Sequence, residues 1–526
     1  MVINNFYKKK KYILNFRFAP EPSGYIHLGH IKSLYLNYIL SKKNNGNLIL
    51  RFDDTNPQKS KKKFVKKIIK DLKLLNIKFH KITYASNYFK LLYKYALILI
   101  KKKLAYVDFK YKSINKKYKK NIYNIYRQNS IKKNLYYFKN MKNKKYKEGF
   151  CVLRAKIKKK YHKNNIFFKD PIMYRIIYKK HYKTKYNWCI YPTYDWAHGQ
   201  CDLIENISYS LCSQEFEHHK LLYNWYLKKI HKYYYNNNKI IIPKQFEYSR
   251  LNINYNLLSK RKINFLIKKN KIKSWNDLRI LTLKNLIIRG YTPKIIFNFI
   301  KKIGYTKRYS NISINLINNL YKKIINNKSI TIMGIINPIK IILINNNKKY
   351  IKYNINILKK HNKYIKIFLK KNIYISKKDF YINKNKKYGL SFNKYIRLKN
   401  LGIIKIVKIE FNIKNKKINK IYCKIYNNLN NIKIKSTIQW VSNINKYCLK
   451  IYYIKEKLFK KKNIGNKKKN KLIKYFNKKS LIKKKIYTNY NINNNNNNIY
   501  QFIRIGYYYY NKKKNILFNI IKHKNF

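Results

Sequence analysis

Acidic side chains are scarce in this chain: 17 Asp and Glu stand against 125 Lys and Arg in 526 residues, a formal net charge of +108. A surface so short of carboxylates excludes a cationic partner and favours a polyanion such as nucleic acid. The charge alone does not assign a function. Lys, Asn, Ile, Tyr and Phe, the residues of A/T-rich codons, dominate together, as drift in an A/T-biased genome would make them. Cysteine is equally sparse. Cys151, Cys189, Cys201, Cys212, Cys423 and Cys448 include no CxxC pair, so neither a structural zinc site nor a disulfide framework is expected, and a reducing compartment is. Long apolar runs are missing too, the best stretch near 331–344 being broken by Asn337 and Lys340. The basic N-terminal segment lacks an apolar h-region and cleavage site, so a cytoplasmic protein without membrane association is expected.

The residues that are rare are also unevenly placed. Fourteen of the 17 acids fall at or before Asp277, and Glu21, Asp53, Asp54, Asp195, Asp202, Glu205, Glu215, Glu217 and Glu247 form short clusters. Of 12 Gly and 8 Pro, four lie between Pro20 and Gly29. Chemistry is therefore sought before residue 280 and polyanion binding after it. With 45% hydrophobic residues the chain can bury several cores, and its length calls for three or four domains.

Residues 12–18 form an apolar run suited to a buried strand. The turn Pro20–Gly24 follows, and His27-Leu28-Gly29-His30 opens an amphipathic helix to about Leu40. Residues 47–52 read as a second buried strand, the Asn56-Pro57 turn follows, and a Lys-rich helix runs to about Leu75. This alternation predicts a parallel, doubly wound sheet with ligands at the strand C-termini. Residues 90–180 read as an insertion, and strand–helix alternation returns at 187–230. The segment 274–303 reads as helical, with a capping box at Ser274 and Asp277, Thr292 before Pro293 at a helix start, an apolar face ending at Ile303, and Gly304 as terminator. From about 331, short Ile/Tyr/Lys alternations predict antiparallel barrels or sandwiches. The Lys-rich 459–472 and the Asn run 491–498 read as solvated loops.

His27 and His30, three apart, share one face of a first helical turn, where free N–H groups and the dipole favour phosphate. Gly29 lets a nucleotide approach the backbone. With these residues in place, RFAPEPSGYIHLGH (17–30) and RFDDTNP (51–57) resemble the glutamyl/glutaminyl branch of class I aminoacyl-tRNA synthetases, and Leu257-Leu258-Ser259-Lys260-Arg261 resembles its second signature, a relative of KMSKS. LAYVD (104–108), DPIMYRI (170–176), YPTYDWAH (191–198), SLCSQEFEHH (210–219), EYSRLN (247–252), RGYTPKII (289–296), IRLKN (396–400) and IQWVS (438–442) extend the resemblance over nearly the whole chain, closest to the branch's glutaminyl members.

The resemblance implies an α/β fold: a Rossmann-like catalytic domain (1–88 and 188–255), an inserted acceptor-end-binding domain (89–187), a helical connecting domain with the LLSKR loop (256–330), and two β-barrel anticodon-binding domains (331–526). It implies a ligase, acting as a monomer, that joins L-glutamine to its tRNA through an adenylate made from ATP with Mg²⁺. His27, His30 and Lys260, the last on a loop, would hold ATP and its phosphates, with Glu21, Pro22, Gly24, Gly29, Arg250, Leu251 and Ser259 around the nucleotide. Glu21 would orient the reactive ribose. Asp53 would accept the substrate ammonium; Arg17, Tyr194, His198, Cys212 and Gln245 would line the amino-acid pocket. Glutamyl enzymes of the branch carry Arg where this chain has Cys212, and a pocket without that cation favours Gln over Glu. Arg397 and Lys399 match anticodon-contacting positions. Two departures stand out: Thr331 replaces a usual Arg, and His218 replaces an acid that reads the acceptor stem. A glutamyl enzyme, a noncatalytic tRNA-binding relative and a nonspecific polycation are the alternatives; intact HLGH, RFDD and LLSKR argue against the last two.

Overall fold

The computed structural model describes residues 13–109, 125–158, 165–235, 241–325, 329–345, 351–358, 361–369, 371–382, 389–412, 418–426, 434, 436–443, 446–455, 457–492 and 498–522, with the backbone alone for 351–358, 361–368 and 466. Glu456, Lys370 and 493–497 of the Asn run lie outside the described residues. The chain forms two compact units. One comprises Met1–Asn252, Leu258–Lys260 and Ile300–Ile312, the other Ile253–Leu257, Arg261–Phe299 and Ser313–Phe526. No helix among the described residues is long and apolar enough to cross a membrane.

The first unit is built on parallel strands. β1 (Asn15–Phe18) pairs with β2 (Asn47–Phe52), and β2 with β3 (Lys81–Tyr84), all parallel. The connections are α1 (Leu28–Lys43) and α2 (Lys62–Lys73). Phe16, Phe18, Ile49, Leu50 and Phe52 are buried, as expected for strands covered on both faces. Next come α3 (Phe89–Lys101), β4 (Ala105–Asp108), α4 (Ile131–Lys142), β5 (Val152–Ala155), β6 (Ile172–Ile176) and β7 (Ile190–Pro192); the four strands form one antiparallel sheet in chain order. α5 (Tyr194–Ile204), β8 (Tyr209–Ser213), α6 (Lys220–Tyr234) and β9 (Lys244–Tyr248) return to the parallel arrangement, β8 pairing with β9. β8 flanks β1, with Ser208 N–H donating to the Asn15 carbonyl at 2.9 Å. One core joins α3, α4 and β4–β7 to α5 and α6, so the antiparallel sheet shares its interior with the second parallel segment.

In the second unit the helical expectation over 274–303 holds only in part. Residues 274–282 make turns, in which Ser274 Oγ accepts the Asn276 N–H and Asp277 pairs with Arg279 at 2.7 Å. The helix cap is Thr282 instead, whose Oγ1 accepts the Asn285 N–H ahead of the short helix Leu283–Ile288. The next helix runs Pro293–Ile303, its residues to Phe299 in the second unit and the rest in the first; Ile295, Ile296, Phe299 and Ile300 are buried and Gly304 takes φ +70°. The C-terminal sheets are mixed rather than purely antiparallel: Pro338–Leu343 with Ile418–Tyr426, Ile396–Leu398 with Thr437–Ile438, Ile330–Ile332 with Ile499–Phe502, and Tyr447–Ile454 with Ile516–Lys522 all pair parallel. An alternating pattern fixes which face is buried and carries no information on strand direction. The stretch 459–472 is a packed segment and not a solvated loop. Phe459, Ile464 and Leu472 are fully buried in a core with Leu257, Ile263 and Leu266, which leaves the intervening lysines to point outward.

Candidate active site

The loop between β1 and α1 is tied down by the main chain. Asp53 N–H donates to the Pro20 carbonyl (3.3 Å), Lys61 N–H to the Pro22 carbonyl (3.1 Å), and Ser23 N–H to the Glu21 carbonyl (2.8 Å). Ser23 Oγ also donates to Glu21 Oε2 at 2.8 Å. α1 then starts with histidine as its cap. His27 Nδ1 accepts the Gly29 N–H (3.1 Å) and His30 Nδ1 accepts the His27 N–H (3.2 Å), a reciprocal capping box built from two imidazoles. The rings lie 3.7 Å apart, centroid to centroid. Burial, then Lys260 and Arg250, pushes His27 down to about 3, and burial with His27 and Lys260 holds His30 far below its usual value. Both rings are neutral, and each spends Nδ1 as an acceptor. The proton therefore sits on Nε2, so each ring offers one N–H donor beyond the helix start.

Lys260, expected on a loop, is the first residue of a helix (Lys260–Lys268). Its Nζ lies 3.5 Å from the Glu21 carbonyl and 3.4 Å from Ser23 Oγ. Burial, against the pull of Glu21, brings the ammonium down to about 8. Leu258 packs beside Gly29, and its Cδ1 would be 3.8 Å from a Cβ added there. Arg250, exposed, donates to Glu215 Oε1 at 2.5 Å, while Leu251 is buried and Ser259 half-buried. Lys32 of α1, 1% exposed, donates to the Ser249 carbonyl (2.6 Å) and Oγ (3.1 Å), clamping α1 to the segment that carries Arg250 and Leu251. Lys32 was not among the residues the sequence singled out.

Behind this loop lies a buried charge network that sequence reasoning reached only in part. Arg17 donates to both oxygens of Asp202 (3.1 and 3.3 Å), to the Leu211 carbonyl (2.9 Å) and to Ser210 Oγ (2.6 Å). Arg51, fully buried, reaches Asp53 (2.9 Å), Asp202 (2.7 Å) and Glu205 (3.1 Å). His198 sits between the two guanidiniums, at 2.9 Å from Arg17 Nη2 and 3.4 Å from Arg51 Nη2. Burial opposes ionisation of Asp53 and Asp202, but Arg51 beside Asp53, and Arg17 with Arg51 beside Asp202, hold both carboxyls below their usual range. Two guanidiniums thus face three carboxylates, a formal excess of one negative charge. Of those carboxylates, Asp53 stands at a cavity wall. That cavity, about 480 Å³, is lined by Glu21, Asp53, Thr55, Arg175, Tyr194 and Phe216 among others.

Of the other expected pocket residues, Tyr194 lines the cavity, whereas His198, Cys212 and Gln245 do not. The Tyr194 ring stacks on His198 (4.7 Å, 18°) and packs on Phe216 (5.0 Å). Gln245 Nε2 donates to the Phe216 carbonyl and to Glu247 Oε1, both at 3.3 Å. Cys212 is buried, opposite Glu247 in the β8–β9 register, and burial pushes its thiol up to about 12. Glu247 is itself held by Lys220 (3.1 Å) and Lys307 (3.3 Å). His218 is exposed on the one-turn helix Gln214–His219.

In the second unit Arg397 is exposed on the strand Ile396–Leu398, and the Lys399 carbonyl accepts the Trp440 indole N–H at 2.9 Å. Neither lines a cavity of about 790 Å³ in this unit, whose lining includes Lys322, Asp379, Gln439, Gln501 and Arg504. Arg504 pairs with Asp379 at 3.0 Å, and Thr331 Oγ1 lies 3.4 Å from Gln501 Oε1. The described residues contain no cluster of three or more His, Cys, Asp or Glu fit to hold a metal.

Comparison with known proteins agrees over both units. Residues 14–327 match the catalytic-domain model of tRNA synthetases class I (E and Q), and 332–426 and 437–511 match two anticodon-binding-domain models of the same family. The chain is 40% identical to a glutamine–tRNA ligase of Buchnera aphidicola subsp. Acyrthosiphon pisum (strain Tuc7), over 96% of this chain and 91% of that one. It is 39% identical to that of Buchnera aphidicola subsp. Schizaphis graminum, over 96% and 92%. For the glutamine–tRNA ligase of Clostridium perfringens the figure is 36%, over 84% and 81%. The chain belongs to the class I tRNA synthetases of the glutamate and glutamine branch.

Proposed function

We propose that the protein joins glutamine to the terminal adenosine of its tRNA in two balanced steps. The glutamine carboxylate displaces pyrophosphate from the α-phosphate of ATP, forming a mixed anhydride; the ribose 2′-OH then attacks that acyl carbon and expels AMP. Neither step needs a protein nucleophile. Both need reactants held in line, with positive charge and N–H donors where phosphate charge develops. The Nε2–H groups of His27 and His30 and the Lys260 ammonium are such donors on one side of the Pro20–Gly24 loop. Mg²⁺ would neutralise phosphate charge as part of the bound nucleotide, and the described residues fit it in that form, since among them no cluster of three or more His, Cys, Asp or Glu could hold it. Glu21, which lines the cavity and whose carbonyl lies 3.5 Å from Lys260 Nζ, would orient the ribose hydroxyl.

The observation that carries the amino-acid reading is the charge count of the buried network. The network holds one more carboxylate than guanidiniums, and Asp53, its member at the cavity wall, suits a substrate ammonium. Arg17, the guanidinium nearest Cys212 and Ser210, is already neutralised by Asp202, and the other cations of the cavity lining, Lys59 and Arg175, are exposed, so no buried free cation awaits a γ-carboxylate. The neutral amide of glutamine meets no such penalty. In the second unit, the cavity lined by Gln439, Gln501 and Arg504 would present the Gln501 amide and the Arg504–Asp379 pair to an unpaired base. Arg397 and Lys399 are assigned to the anticodon as well, on a separate face.

The test is a side-by-side charging assay with glutamine and glutamate, the cognate tRNA, ATP and Mg²⁺. Glutaminyl-tRNA should form at least 100-fold faster than glutamyl-tRNA, a gap of about 3 kcal/mol in transition-state binding. Equal charging by the two amino acids overturns the reading.

A further inference from the structure

The second unit holds another cavity, about 550 Å³, between the segment 279–318 and the sheet edges at 453–457, 482–484 and 519–522. Its floor contains Arg289, 7% exposed. Arg289 Nε has no hydrogen-bond partner among the described residues, and no carboxylate there pairs with this guanidinium. The amide Nδ2 of Asn519, 8% exposed and in the same lining, is likewise without an acceptor. Lys378, Lys455, Lys484 and Lys522, all exposed, form the rim. They are close enough to oppose one another's charge: burial and then Lys378, Lys455 and Lys484 lower the Lys522 ammonium. Arg279 also lines the cavity but is neutralised by Asp277. Among the described residues no carboxylate does.

A basic rim is ordinary on a chain of +108; a buried guanidinium that meets only the Tyr291 ring face, 5.3 Å to centroid, and no carboxylate among the described residues is not. A buried charge without a counter-ion costs several kcal/mol, so native proteins pair it. Position is fixed tightly as well. Gly290 takes φ +93°, and a Cβ there would meet the Tyr509 ring at 2.3 Å, so the backbone next to Arg289 is packed tightly against Tyr509.

We propose that this cavity is a phosphate-binding site, in which Arg289 and Asn519 hold the anion at depth and the lysine rim gathers it. The class of ligand is a phosphate group, whether of a small free polyphosphate or of an RNA backbone. It lies in the other unit from the adenylate chemistry and stands independently of which amino acid the enzyme charges.

Calorimetric titration of the full chain with inorganic tripolyphosphate at about 0.15 M salt, where weak surface pairing is screened, tests this. Two binding events are expected, one removed by Lys260→Ala and the other by Arg289→Met. Lys455→Ser with Lys484→Ser, both on the exposed rim and harmless to the core, should weaken the second event about tenfold. The remote pair Lys132→Ser with Lys133→Ser, removing the same charge, should leave it unchanged. Absence of any binding event removed by Arg289→Met, such an event indifferent to the rim pair, or equal weakening by the remote pair overturns the proposal, whereas absence of the Lys260-dependent event alone counts only against the nucleotide-site assignment. With cognate tRNA present at saturation, loss of the second event assigns the site to RNA backbone phosphate, and its persistence assigns it to a free polyphosphate.

Discussion

The side chain of Lys260 lies along Gly24, with its Cδ 3.1 Å from where a Cβ on that glycine would stand. The glycine is therefore the groove through which the amine reaches the Glu21 carbonyl and Ser23. Gly24→Ala should push the flexible stem aside by a few tenths of an ångström and leave the fold intact. A misplaced cation at a developing charge lowers rate more than binding, so amino-acid-dependent pyrophosphate exchange should fall about tenfold. The melting temperature should stay within the range of a surface change. Unaltered exchange would mean that the amine does not act from this groove.

The imidazole pair separates a structural duty from a chemical one. Asn at position 27 can accept the Gly29 N–H much as His27 Nδ1 does, and Asn is a favoured cap. His27→Asn should hold stability at neutral pH within about 0.5 kcal/mol. It should also remove the outward N–H donor, which costs about 2 kcal/mol in the adenylate step, roughly thirtyfold in rate. The acid side checks the same pair. The folded protein keeps His27 neutral down to about 3, whereas the unfolded chain protonates it near 6.5. The unfolded state therefore binds the extra proton, and the stability this provides is present above 6.5 and is lost as pH falls from there toward 3. Denaturation midpoints followed from pH 7 to 4 should decline more gently in His27→Asn than in the parent protein.

How much of this was legible in the sequence depends on distance along the chain. The first strand, turn and helix, and the strand 47–52, lie where apolar runs and turn residues put them. His27 and His30 sit three apart and announce themselves. Arg51, Asp202 and Glu205 do not, because nothing local tells that acids some 150 residues downstream enclose an arginine at a strand end. One signal was available and unused. Only 12 of the 125 cationic residues are Arg, in a chain where drift favours Lys, and Arg17, Arg51 and Arg289 are among the buried ones. A guanidinium retained against such drift marks a place where a planar, multidentate donor is needed and an ammonium does not serve. The segments 274–282 and 459–472 mislead for the opposite reason: local caps and lysine content mask a few apolar residues whose partners are remote in sequence.

Lys260 makes nucleotide affinity depend on alkaline pH. Its ammonium titrates near 8 in the free protein instead of 10.5, because burial costs the charged form more than Glu21 returns. A bound triphosphate restores the charged form, so above pH 8 binding must take up a proton and the apparent affinity for ATP falls as pH rises. Below 8 the proton is already in place and affinity is level. The stability sign is opposite: the burden of burying the charge is present below about 8 and disappears as pH climbs toward 10.5. Equilibrium binding of ATP from pH 7 to 9.5 should show the decline in the parent and not in Lys260→Arg, whose guanidinium stays charged throughout. A decline of equal size in both would move the titration to another group.

Cys212 offers the sharpest handle on amino-acid choice. Its thiol is neutral, its β9 neighbour in register is Glu247, and that carboxylate is engaged by Lys220, Lys307 and Gln245. Cys212→Arg would bring in a guanidinium without a free counter-ion, and the substrate's own γ-carboxylate is the anion able to supply one. Glutamine would then leave the new charge unpaired in a buried site, at a cost of about 3 kcal/mol, so kcat/KM for glutamine should fall roughly 100-fold. Glutamate activation should rise toward parity with it. Glu247 can blunt the effect by turning to the new Arg, and Cys212→Arg combined with Glu247→Gln removes that escape. If the double variant still prefers glutamine by the parental margin, charge at position 212 does not set specificity, and discrimination must lie with Tyr194, His198 and Gln245.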